Sequence, residues 1–185
     1  RTLVLAMHAL AVRDIASTLM DLPGANESLA PLEEQSLTRW REAVAAAAGQ
    51  IQPRCIASVR GGCLIDDGAS AELRWRLSPA KGSSLLKTLL RTRIAGERED
   101  GRTVTASELM EQAKSAPIEL AGNWLGPAMI AELDAARPAE VPAREVKPGQ
   151  GEGAITGSAL WLRAEPGEDA AMAQAIADDL AELLA

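Results

Sequence analysis

The chain of 185 residues contains no phenylalanine and no tyrosine, a single histidine and two cysteines. Without Phe or Tyr, its core has to be built from Leu, Ala, Ile, Val, Met and four Trp, which favours helices approaching closely across small side chains. One histidine excludes a His-pair metal site and obliges any Ser-His-Asp or Cys-His apparatus to use His8. His8 shares a helical face with Ala11, Ile15 and Leu19, where a packed core side chain is expected rather than a catalyst. Cys55 and Cys63 have seven residues between them, too far along one extended strand to bridge, so both are expected as free thiols in a reducing, cytoplasmic setting. No run of 18 apolar residues offers a membrane span. Phosphate-binding glycine loops are absent too, and neither Ser70 nor Ser158 has the flanking glycines of a nucleophile elbow.

What is present is 47% hydrophobic sequence, enough for one domain spanning 1–185 with a sizeable core. Beginning at Arg1 rather than methionine, the sequence is compatible with a processed form or a piece of a longer chain. Its clearest pattern lies between Cys55 and Leu77. Ala71, Leu73, Trp75 and Leu77 alternate with Glu72, Arg74 and Arg76, the signature of a strand with one buried and one wet face. Cys55, Ala57, Val59, Cys63 and Ile65 keep one parity before them, and Asp66-Asp67-Gly68 has the make-up of a three-residue hairpin loop. An antiparallel hairpin over 55–77 is expected, with Val59 opposite Trp75 and Arg60 opposite Arg74, beside Arg76. The two aspartates are read as turn residues rather than metal ligands.

Helical spacing predicts a helix over residues 3–20, another from Pro31 to Gly49, and a third from Ser83 or Ser84 to just before Gly96. Thr105-Ala106-Ser107-Glu108 forms a capping box that starts a fourth helix running to about Ser115. A short helix carrying Met129, Ile130 and Leu133 follows, and its acidic neighbourhood argues against a DNA-reading helix-turn-helix. Three prolines and three glycines mark 137–153 as an exposed flexible loop. A strand at 154–163 and a helix from Glu168 to the end complete the pattern, with Asp178 and Asp179 on the helix's solvated side. The expected class is α+β: an antiparallel or mixed sheet of about three strands, hairpin 55–77 plus strand 154–163, covered by several helices.

Charge gives the functional expectation. The chain carries a net charge of -7, yet residues 74–102 hold eight basic side chains against three acidic ones. Arg60, Arg74 and Arg76 on the outer hairpin face, with Lys87 and Arg91 on the next helix, form a candidate basic face. The preferred reading is a non-catalytic interaction or adaptor module docking an acidic protein partner through that face, with no metal and no cofactor. An anion- or nucleic-acid-binding module is the alternative. The net charge, and Trp75 pointing inward rather than offering a stacking surface, count against it. An enzyme with a carboxylate site assembled from distant residues is the third reading.

Overall fold

The computed structural model describes residues 1–151, 153–157, 159 and 168–185. It is an α+β structure with six α-helices among the described residues. The helices are α1 (Thr2–Ala11), α2 (Leu37–Ile51), α3 (Gly82–Glu99), α4 (Ala106–Gln112), α5 (Pro127–Ala135) and α6 (Ala170–Leu184). Strands β1 (Cys55–Val59), β2 (Leu73–Leu77), β5 (Arg144–Pro148) and β6 (Ala154–Ile155) form one parallel sheet in that order, while β3 (Ile118–Leu120) and β4 (Asn123–Leu125) form an antiparallel hairpin.

The expected 55–77 hairpin is therefore corrected to a parallel pair. Ala57 lies beside Trp75 and Val59 beside Leu77, and the chain returns through 3-10 turns at Arg60–Leu64 and Asp66–Gly68. Alternation assigns a strand's faces but is blind to its direction. The contrary signal was Cys63-Leu64-Ile65, consecutive apolar residues that are all buried and so cannot alternate along a half-wet strand. Arg41 of α2 clamps this crossover, donating from Nη2 to the Leu64 carbonyl at 2.6 Å and pairing with Asp67 at 3.2 Å.

Two cores result. The first joins Leu37, the crossover's Leu64 and Ile65, Leu86 and Leu90 of α3, Leu109 of α4, Leu120 and Leu125 of the hairpin, and Met129, Ile130 and Leu133 of α5. The second packs Ala6 and Leu10 of α1 and Met172, Ile176 and Leu180 of α6 against Trp75, Leu77, Val146 and Ile155 on one face of the parallel sheet.

Helix ends follow local chemistry. Ser36 caps α2 by accepting from the Arg39 N–H, and the expected start at Pro31 is instead a 3-10 turn over Leu32–Glu34. The first helix stops at Ala11 rather than near residue 20, because Asp14 takes φ 58° and Ile15 donates back to the Leu10 carbonyl, a Schellman closure. His8 is correspondingly exposed, not packed in the core. Gly96 does not end α3. Gly101 does, at φ 77°, with the Arg102 N–H closing on the Glu97 carbonyl. Between α4 and α5, Ala121 and Gly122 both adopt positive φ and turn the β3–β4 hairpin, a pattern suited to a two-residue turn, where no strands were expected.

The stretch read as loop at 137–153 contains β5, paired to β2 through Arg76 and Glu145. Of the strand expected at 154–163, Ala154–Ile155 is a strand, and Ser158 and residues 160–163 lie outside the described residues. The capping box at Thr105 is present in both halves: the Glu108 N–H donates to the Thr105 hydroxyl at 3.2 Å, and the Thr105 N–H to the Glu108 carboxylate at 2.8 Å. Thr105→Ala should cost about 1 kcal/mol in urea unfolding. Bonds from the Thr105 hydroxyl first and its N–H second hold the Glu108 carboxyl below its ordinary value. Its share of the cap is thus present above the carboxylate range and lost as pH falls through it.

Candidate functional site

The residues expected to form one basic face are distributed over three environments. Arg76 sits inside the protein, on the sheet face opposite Trp75. Parallel register lines it up with Ser58 on β1 and Glu145 on β5. Its Nε and Nη2 donate to the two oxygens of Asp66, each at 2.7 Å, and its Nη1 donates to the Ala139 carbonyl at 2.9 Å and lies 3.5 Å from Glu145. The Arg76 side chain is 2% exposed and that of Asp66 0%. A guanidinium so enclosed meets no partner, and Arg76 leaves the candidate face. The clue lay in Asp66, which the sequence presents as a turn residue. The 3-10 crossover swings that carboxylate under the sheet instead.

Ser58 and Cys63 complete this buried group. The Ser58 hydroxyl donates to Asp66 at 2.8 Å, and the Cys63 thiol lies 3.3 Å from the Ser58 oxygen. Burial first, with the Asp66 charge adding to it and the Ser58 contact opposing it, pushes the Cys63 thiol above its ordinary value. The sulfur is enclosed, and its burial disfavours the thiolate that a nucleophile needs. Cys55 is also free, half-buried at the margin of the second core, and burial raises its thiol as well.

Arg74 is half-buried on β2, donating through Nη2 to the Ala69 carbonyl at 2.5 Å, with its Nε enclosed and lacking an acceptor among the described residues. Arg60 and Ser78 directly follow β1 and β2, at φ 53° and 48°. Two neighbouring parallel strands thus end in left-handed residues at the same sheet edge, a conformation that side-chain-bearing residues seldom adopt. The turn at Arg60 runs from strand to helical turn as nucleophile-presenting elbows do, but a guanidinium cannot attack an electrophile.

Lys87 and Arg91 remain, both exposed on α3. At 100° per residue they share one stripe with Arg98, which the sequence reading did not include because the helix was expected to stop before it. The three lie within about 40° on the helix and span about 16 Å. Among the described residues none forms an ion pair with any of them. The far side of α3 differs: Arg93 is paired with Glu97 and Glu119, and Arg102 reaches back to Glu97 and Asp100. A polar cleft of about 310 Å³ opens there, and a groove of about 450 Å³ separates α4 from α5; neither is lined by Arg60, Arg74, Arg76, Lys87 or Arg91. Among the described residues no group of three or more His, Cys, Asp or Glu side chains is arranged to hold a metal ion, and no helix is long and apolar enough to cross a membrane. In comparison with known proteins, no family model, no curated protein and no solved structure matches the chain.

Proposed function

We propose that the chain is a non-catalytic interaction module that docks an acidic protein partner through the exposed stripe Lys87, Arg91 and Arg98. The observation carrying this reading is that, among the described residues, three cations stand unpaired on one helix face of a protein with net charge -7, while Arg93 on the far side of that helix and Arg102 just beyond its end are engaged by carboxylates. Unpaired charges in a row raise the local potential, steer an oppositely charged surface and fix its register. Arg60 and Arg74 stay outside the stripe, since the Arg60 turn packs beside Leu85 at the start of α3 and Arg74 is held by Ala69.

The test places a photo-crosslinking residue at Ala95, exposed among the three cations, and captures partners at low salt after nuclease treatment. Protein adducts are expected, falling about tenfold or more in Lys87→Glu/Arg91→Glu/Arg98→Glu and on screening with about 0.5 M salt. Circular dichroism should stay unchanged, because exposed substitutions of this kind shift stability by only about 0.5 kcal/mol each. Adducts that survive the triple reversal would remove the stripe from function. Loss of all adducts on nuclease treatment would turn the assignment to nucleic acid.

A further inference from the structure

Helix α1 is apolar on both sides, and the described residues cover only one of them. Thr2, Ala6 and Leu10 face inward, the latter two in the second core, whereas Leu3, Val4, Ala11 and Val12 are exposed, Val4 at 42% and Val12 at 87%, with Met7 half-buried between them. From Thr2 to Val12 there is no Asp, Glu, Lys or Arg. A helix that is apolar all round calls for cover on both faces.

We propose that the outer face of α1 is the contact between two copies of this chain, the two helices lying antiparallel about a two-fold axis that passes between Met7 and His8. Charge selects this arrangement. Arg1 and Asp14 flank the apolar run; Arg1 reaches only an exposed Glu168 at 3.8 Å, and Asp14 forms no ion pair among the described residues. Antiparallel packing about that axis sets Val4 against Ala11 of the second copy and brings Arg1 to the end of the contact where Asp14 of the second copy lies, and each contact occurs twice. Parallel packing would set Arg1 against Arg1 and Asp14 against Asp14. A lipid surface suits the face less well, because anionic headgroups attract helices with a basic polar border, whereas here Asp14 stands beside Arg13, Arg13 is paired with Asp178, and the whole chain is acidic. Ten helical residues give a contact about 15 Å long, so the dimer is small and reversible.

Sedimentation equilibrium of the whole chain from about 5 to 500 µM tests this, a range set by the weak class of interface. The mass should climb from one copy toward two, and Val4→Glu should hold it at one copy with an unchanged far-ultraviolet spectrum. Arg1→Glu should weaken the dimer about tenfold, and adding Asp14→Lys should restore it, a rescue that a general loss of folding cannot produce. Raising salt should weaken the dimer by no more than the share of the Arg1–Asp14 pairs, about tenfold, and Lys87→Glu/Arg91→Glu/Arg98→Glu should leave it in place, so the two assignments fail separately. One copy throughout the range, or a dimer indifferent to Val4→Glu, overturns the proposal. Flotation of a single-copy chain with phosphatidylcholine vesicles, abolished by Val4→Glu, would overturn it in favour of a membrane surface.

Discussion

Arg76→Met is expected to destabilise the protein by about 3 to 5 kcal/mol, the usual consequence of leaving one member of a buried ion pair without its partner. The Asp66 carboxylate would keep only the Ser58 hydroxyl, and the Ala139 carbonyl would lose its donor. Since whole domains are stable by about 5 to 15 kcal/mol, this single change removes a large share of the total and brings a domain at the low end of that range close to its midpoint. Asp66→Leu in the same chain should recover part of the loss, because removing both charges costs less than isolating one. Urea unfolding of the two singles and the double closes the cycle. If the double is as damaged as the sum of the singles, the pair is not energetically coupled and the account fails. A practical consequence follows for binding studies: charge reversal at Arg74 and Arg76, which exposure of both would make harmless, would report unfolding rather than a lost contact.

Trp75→Ala should cost a similar amount, about 3 to 5 kcal/mol, through a different mechanism. The indole is fully enclosed between the sheet and helices α1 and α6, and its N–H donates to Asp179 of α6 at 2.6 Å. Truncation removes the largest side chain of that core and also takes one of the donors from a carboxylate that Arg144 engages at 2.6 Å. Trp75→Phe separates the two effects. It keeps most of the ring volume and deletes the hydrogen bond, so a loss of about 1 to 2 kcal/mol is expected. A Trp75→Ala variant that unfolds within about 1 kcal/mol of the parent would mean that α6 does not depend on this residue, contrary to the packing described.

Local signals were legible and directions were not. The capping box at Thr105, the apolar spacing of Met129, Ile130 and Leu133, and that of Met172, Ile176 and Leu180 each rest on residues within one or two turns, and each appears as read. Trp75 and Arg76 do point to opposite sides of their strand. What alternation could not convey is that the far side is also covered, since the covering Asp66 belongs to a 3-10 turn ten residues earlier. Strand β5 escaped notice because Val146 is its one core residue, while Arg144 and Glu145 are held by ion pairs to Asp179, Glu182 and Arg76. Asp179, expected on a solvated side, holds the indole instead. Of the candidate site, Lys87 and Arg91 were readable from a spacing of four, and Arg98 was hidden by a glycine that the helix passes through on its open side.

The division into two cores sets an order of events during synthesis. Every buried residue of the first core lies between Leu37 and Leu133, so that unit is complete before α6 is made. The second core draws on Ala6 and Leu10 at one extreme and on Met172 through Leu180 at the other. Helix α1 is therefore made well before α6 and docks only when it arrives, waiting with both faces bare. During that interval its apolar residues are open to whatever meets them. Residues 2–12 should accordingly be more open to a protease or an apolar-binding probe in a chain cut short before α6 than in the whole sequence.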